Sequence, residues 1–117
     1  MGQSIYERKI GPDYLNFAEL KEIKQLLRKD EKIIYSCIMK KKNKYGMWQI
    51  RNLVLTNMRI CNFAELSLKR SIELRTLRAL TKTTKINTWK LLLHVHDDYD
   101  YKIRTERREE LIEHIQG

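Results

Sequence analysis

Four lysines crowd into five residues of this chain, at Lys40, Lys41, Lys42 and Lys44. Ammonium groups that close repel one another unless anions or water screen them, and each is a point-charge binder of phosphate oxygens. Arg51 follows, with a guanidinium fork that can hold two such oxygens at once. A different chemistry is hinted at by His94, His96 and Asp98, which alternate along one strand face in an H-x-H-x-D spacing. Zinc needs three or four converging ligands. The residue after Asp98 is Tyr99 where metallohydrolases place a histidine, so this trio reads as strand and turn residues, and no metal is expected. No serine has a usable histidine and acid, and there is no G-x-x-x-x-G-K phosphate loop. Cys37 and Cys61 fall in apolar runs with nothing beside them to activate a thiol. The chemistry on offer is therefore binding of anions, with no enzyme activity and no cofactor.

The charge of the whole chain concentrates around those lysines. Of 117 residues, 24 are Lys or Arg and 15 are Asp or Glu, a net charge of +9. Residues 1–31 are neutral overall, residues 32–96 carry +12 and residues 97–117 carry −3. A nearly one-signed middle segment attracts polyanions such as phospholipid headgroups, nucleic acid or acidic protein tails. The length suits one domain with one core, and a single proline argues against linkers. No apolar run reaches the ~18 residues of a membrane-spanning helix. Gly2 invites lipidation, but that motif wants Ser or Thr at the position held by Tyr6. Two unpaired cysteines point to a reducing, cytoplasmic setting.

The elements that must position these cations follow from the hydrophobic period. Residues 13–29 predict a helix, with Asn16 and Glu19 as a capping box and Leu20, Ile23 and Leu27 on one face. From Asp30 to about position 104 the helical period gives way to short strands. The first runs from Lys32 to Met39 and ends in the basic loop through Gly46. Met47 to Thr56 forms the second, with Trp48, Ile50 and Val54 on one side and Leu53 and Leu55 on the other. A tight turn at Asn57-Met58, with Asn tolerating positive φ, leads into a third strand at Arg59–Phe63. Further strands are expected near 71–74, 77–84, 89–95 and 99–104. Thr105 is the expected N-cap of a closing helix with Leu111, Ile112 and Ile115 on its apolar face. That helix is too short to stand alone and must dock on the sheet.

Seven short antiparallel strands followed by one amphipathic helix is the order of a pleckstrin-homology (PH) domain. The piece Arg51-Asn52-Leu53-Val54-Leu55-Thr56-Asn57-Met58-Arg59-Ile60 resembles the R-x-L-x-L-T-x-x-x-I/L hairpin of PH-like domains, especially those of class I myosin tails. His94 to Tyr101, leading into Arg107–Ile112, resembles the end of PH-like modules in protist kinases and myosins. The resemblance implies a mainly β fold with α, a seven-stranded antiparallel barrel capped by a C-terminal helix. The PH-like domain would cover 30–117, with 1–29 as an N-terminal helical extension. It also implies a phosphoinositide pocket between the first two strands, where the family places a lysine late in strand one and Lys/Arg-x-Arg in strand two. Lys40 and Lys42 match the first element and Arg51 the second, while Gln49 carries an amide where a cation is usual.

The expected function is a non-catalytic module that recruits its protein to anionic membranes as a peripheral protein. The headgroup site would use Lys40, Lys42, Lys44 and Arg51, with Lys41 and Arg59 behind them. Each basic residue at an anionic leaflet is worth about 1 kcal/mol. Tyr45 and Trp48 flank the loop as candidates for the membrane interface, with core packing the alternative for Trp48. Two other partner classes compete. A protein-interaction or scaffold role would use an edge strand or a terminal helix. A nucleic-acid role is disfavoured, because there is no RNP1-like run and aromatics are only 9% of residues. A monomer is expected.

Overall fold

The computed structural model describes residues 5–85 and 88–117. Seven strands form one antiparallel sheet in the order β4-β3-β2-β1-β7-β6-β5. They are β1 (Ile33–Lys42), β2 (Trp48–Thr56), β3 (Arg59–Ala64), β4 (Ser67–Glu73), β5 (Leu77–Lys82), β6 (Lys90–Val95) and β7 (Tyr101–Arg104). Helix α2 (Arg108–Gln116) closes the chain, and a short α1 (Lys21–Lys24) precedes the sheet.

Alternation along each strand decides what goes inside. Tyr35, Cys37 and Met39 of β1 join Leu53, Leu55, Ile60, Ile72, Leu91, Leu93, Tyr101 and Ile103 in the main core. Leu111 of α2 enters the same core with no exposed surface, and the His114 ring lies 4.7 Å from that of Tyr35. Strand residues of the opposite parity build a second core outside the sheet. There Val54, Cys61 and Phe63 pack against Leu15, Phe17 and Ile23 of the N-terminal segment. The Phe17 and Phe63 rings meet edge to face at 5.5 Å.

The N-terminal segment corrects the helix expected over 13–29. Only a 3-10 turn at Phe17–Glu19 and the four-residue α1 are helical. Asn16 has a left-handed backbone (φ 57) and makes no side-chain cap. Asp13 supplies the cap: its Oδ1 and Oδ2 accept the amides of Phe17 at 3.1 Å and Ala18 at 2.9 Å. The segment is stitched to β1 by Ser36, whose amide donates to Pro12 O and whose carbonyl accepts from the Tyr14 amide. Burial of Leu15 and Phe17 on the sheet, with Ser36 holding the backbone extended, outweighs helical propensity.

Smaller departures follow the same logic. Asn57 does not adopt a positive φ. It works through its side chain, which accepts from the Lys32 amide and donates to Asp30 O. Thr105 lies one turn ahead of α2, whose N-cap is Arg107. Its Oγ1 donates to Ile38 O and accepts the Arg107 amide.

Candidate functional site

The β1–β2 ribbon carries most of the cations singled out in the sequence, and its register sorts them onto two faces. Lys40 lies opposite Ile50, Lys41 opposite Gln49, Lys42 opposite Trp48 and Met39 opposite Arg51. Directly opposed residues share a face. Arg51 therefore lies with Lys41 on the inner face, and Lys40 and Lys42 lie on the outer one. The grouping expected from sequence, Lys40 and Lys42 with Arg51, is divided by the pleat. Lys41, placed behind them in the sequence reading, is the lysine that joins Arg51.

The tip of the ribbon is a side-chain-braced turn. Asn43 Oδ1 accepts the amides of Tyr45 at 2.9 Å and Met47 at 3.0 Å. Gly46 takes φ 81, a conformation that side chains rarely adopt. This leaves Tyr45 and Met47 projecting, 76% and 64% exposed. Lys44 is exposed beside them, its Nζ 5.2 Å from the centre of the Tyr45 ring.

Arg59 does not belong to either face. Its Nε donates to Glu31 Oε2 at 2.8 Å and its guanidinium to Glu31 Oε1 and Leu26 O. Its side chain is 8% exposed and that of Glu31 is 0% exposed. Sequence parity could not reveal this, because the partner lies 28 residues away across a turn. Arg59 is a structural charge, with no access to a ligand.

At the inner face the open end of the barrel collects Lys41, Arg51 and Arg70. Arg70 lies opposite the buried Asn62 across β3 and β4. The Tyr101 ring forms the floor, with Lys41 Nζ at 5.3 Å and the Arg70 guanidinium at 4.6 Å from its centre. Burial, followed by the charges of Arg70 and Arg51, holds the Lys41 ammonium below its ordinary pKa. Burial likewise pushes the Tyr101 hydroxyl up to about 12, against the pull of Arg70 and Asn62. Asn62 sits close enough to oppose that rise, yet the pair falls outside hydrogen-bond geometry. Tyr101 Oη and Asn62 Oδ1 thus remain buried without partners among the described residues. At the rim a carboxylate is in contact: Arg70 pairs with Asp98 at 3.0 Å and donates to Tyr99 O. Arg70 was not singled out in the sequence. The signal was present in the Lys69-Arg70 pair, but the expected fourth strand began at position 71; β4 starts at Ser67, and Arg70 shares the inner face with Ile72.

On the outer face Trp48 is half-buried under cations. Lys42, Lys90 and Arg104 approach its ring to 5.8, 5.9 and 5.4 Å. The indole is thus neither in the core nor free at the tip.

The histidine trio is dispersed. His94 Nδ1 faces Asp100 at 3.1 Å, His96 Nε2 faces Asp97 at 3.0 Å, and Asp98 is held by Arg70. No cluster of three metal-capable side chains occurs among the described residues. Burial pushes the Cys37 thiol up to about 12 and the Cys61 thiol to about 11, so neither is primed as a nucleophile. No helix among the described residues is long and apolar enough to cross a membrane.

Over residues 2–117 the chain matches the family described as unconventional myosin tail, actin- and lipid-binding. Among solved structures it is similar to the C-terminal PH domain of pleckstrin in complex with D-myo-Ins(1,2,3,5,6)P5. That likeness has a TM-score of 0.63 at 20% identity and covers 73% of this chain and 93% of that one. The C-terminal domain of an unknown protein from Leishmania infantum aligns with a TM-score of 0.60 at 13% identity, over 83% of this chain and 94% of that one. The Slm1-PH domain in complex with D-myo-inositol-4-phosphate aligns with a TM-score of 0.56 at 16% identity, over 72% and 90%. At such identities the likeness carries the fold alone, and the fold is that of a PH domain. No curated protein matches the chain in sequence.

Proposed function

The chain belongs to the unconventional myosin tail family, actin- and lipid-binding by description, and on that premise we propose that its inner barrel mouth binds a phosphoinositide headgroup at an anionic membrane. The observation that carries this reading is the convergence of Lys41 and Arg70 over Tyr101 with Arg51 nearby, where burial, followed by the charges of Arg70 and Arg51, depresses the Lys41 ammonium. Like charges held together in a partly desolvated mouth are relieved by a polyanion, and an inositol phosphate supplies several phosphates at that scale. Both the pleckstrin and the Slm1 domains named above are described in complex with inositol phosphates. The family and the fold are those of non-catalytic binding modules.

The headgroup enters beside the ribbon tip. Arg51 grips phosphate oxygens as a fork, and Lys41 and Arg70 neutralise the remaining charge. Lys44 and the outer lysines add nonspecific attraction of about 1 kcal/mol each at an anionic surface. Tyr45 and Met47 lead the approach, since both project beyond the charges. The protein works as a monomeric, peripheral membrane module on the cytoplasmic side.

Vesicle co-sedimentation tests this. Phosphatidylcholine vesicles with phosphatidylinositol 4,5-bisphosphate are compared with vesicles matched in charge by phosphatidylserine. Lys41→Glu with Arg51→Glu is expected to weaken phosphoinositide binding by about tenfold or more, since hydrogen bonds to charged groups are worth about 1.5–3 kcal/mol. Phosphoinositide binding unchanged in that double variant overturns the reading. The family description also names actin, so the same variants in filament co-sedimentation test whether this mouth serves that partner too.

A further inference from the structure

His94 belongs to no metal-capable cluster among the described residues, but it completes a different constellation. Its Nδ1 faces Asp100 Oδ2 at 3.1 Å and its Nε2 faces Thr81 Oγ1 at 2.7 Å. A carboxylate can only accept, so in the neutral ring Nδ1 carries the proton. Nε2 is then left to accept the Thr81 hydroxyl. A hydroxyl that donates to an imidazole, itself oriented by an acid, is prepared to attack an electrophile.

Thr81 is also within reach of another protein. It is exposed on β5, which ends the strand order, so its far edge has no neighbouring strand among the described residues. Register sets Thr81 opposite Leu92 and Leu92 opposite Lys102. Leu91 and Leu93 are buried in the core, so this row lies on the outer face. Arg78 is exposed on the same strand, and its guanidinium meets His96 Nδ1. A bulge between Leu77 and Ala79 lets Leu77 and Leu80 both pack inward and turns Arg78 out. Of all serines and threonines in the chain, Thr81 alone has an arginine three residues before it. An exposed guanidinium at a fixed distance ahead of a hydroxyl, on an extended edge strand, is the charge pattern that an acidic kinase cleft reads.

We propose that Thr81 is a phosphorylation site, read through Arg78 by an arginine-directed protein kinase, and that its phosphate weakens attachment to anionic membranes. In the transfer, Thr81 Oγ1 attacks the γ-phosphorus of ATP. The bond from that phosphorus to the β–γ bridging oxygen breaks and ADP leaves. The hydroxyl proton passes by way of His94 Nε2 to water. The product carries nearly two negative charges beside Arg78 and His94, with Asp100 on the far side of the imidazole. Strands lie about 4.8 Å apart, so the Lys102 backbone stands about 10 Å from that of Thr81, near the range over which charges act in salt. The phosphate therefore offsets cations of this face without touching the inner mouth. The effect on membranes rests on the proposed membrane binding, while the acceptor site does not.

The test treats the whole chain with ATP, magnesium and a calmodulin-dependent protein kinase, a class that selects arginine at this spacing. Peptide mass spectrometry is expected to place the phosphate on Thr81. Arg78→Ala should slow that labelling about tenfold or more, the loss of a charge-assisted contact to the kinase. His94→Gln, which keeps a hydrogen-bonding group but no base, should slow it severalfold. Thr81→Val, shown to be folded by an unchanged urea midpoint, should leave this strand unlabelled. Phosphate on other hydroxyls with Thr81 spared, or Thr81 labelling unaffected by both Arg78→Ala and His94→Gln, overturns the site. In the second arm the phosphorylated chain is sedimented with phosphatidylserine vesicles and with vesicles carrying phosphatidylinositol 4,5-bisphosphate. Binding should fall about tenfold or more relative to the same chain after phosphatase treatment. Binding unchanged by the phosphate overturns the switch. Failure of the inner mouth is a separate result, read as full vesicle binding by unphosphorylated Lys41→Glu with Arg51→Glu.

Discussion

Arg59 and Glu31 illustrate how far a residue's role can depart from its local sequence. In the sequence Arg59 is a hairpin cation within the basic middle segment, and parity alone offers it to a ligand. In the fold it neutralises a fully buried carboxylate. Burial pushes the Glu31 carboxyl up, but hydrogen bonds from Arg59, the Arg28 amide and Thr56 outweigh it and hold the group below its ordinary value of 4.5. A depressed carboxyl contributes stability that is complete above the unfolded value and is lost as pH falls through the folded one. Stability should therefore decline as pH drops from about 4.5 downward, and Glu31→Gln should flatten that part of a denaturation series taken across pH. Arg59→Ala, which strands the buried carboxylate, should cost about 3–5 kcal/mol by urea denaturation. Asp98 makes the opposite case, because its contact with Arg70 neutralises part of the inner mouth. Asp98→Asn should raise inositol phosphate affinity severalfold in calorimetric titration, and a loss of affinity would show that Asp98 positions Arg70 and does not compete for it.

Among the elements, strands were legible and the N-terminal segment was not. Strand parity could be read because the core is continuous along β1 and β2, and a one-residue error would bury lysines. Residues 13–29 carry a helical period that the fold uses differently. Leu15, Phe17 and Ile23 fill the second core from an irregular chain path. That path depends on Asp13 and Ser36, residues whose partnership spans 23 positions. Asp13→Ala removes acceptors from the Phe17 and Ala18 amides and should lower stability by about 1–2 kcal/mol, read as a shift in urea midpoint. An unchanged midpoint would mean that apolar packing alone holds the segment. The division of the cations was hidden for a related reason. Counting positions separates Lys41 from Lys40 and Lys42, but only the β1–β2 register tells which set shares a face with Arg51.

For the molecule as a whole, the cationic middle segment read from the sequence becomes a barrel end with charge on both faces of its leading ribbon. Those charges are exposed or half-buried, so salt should screen them. Binding to phosphatidylserine vesicles should fall about tenfold or more between 0.1 and 0.5 M salt, while the urea midpoint, which rests on buried packing, should move little. Retention of vesicle binding at high salt would point to apolar insertion of Tyr45 and Met47 as the dominant attraction. The sheet and its closing helix were legible because seven short apolar runs leave few other ways to bury them. Ligand geometry was less so, since it depends on which strands become neighbours, and β1 pairs with β7, a strand far along the chain from it.

The alternation of Lys40, Lys41 and Lys42 across the pleat also gives the ribbon something like a reading frame. Inserting one residue directly after Met39 would exchange the two sets of lysines, delivering Lys41 to the indole and Lys40 and Lys42 to the mouth. Composition and net charge would hardly change. In this chain length variation at the leading hairpin is a heavier genetic lesion than most substitutions there, and insertions should be tolerated only at the outermost turn or in steps of two.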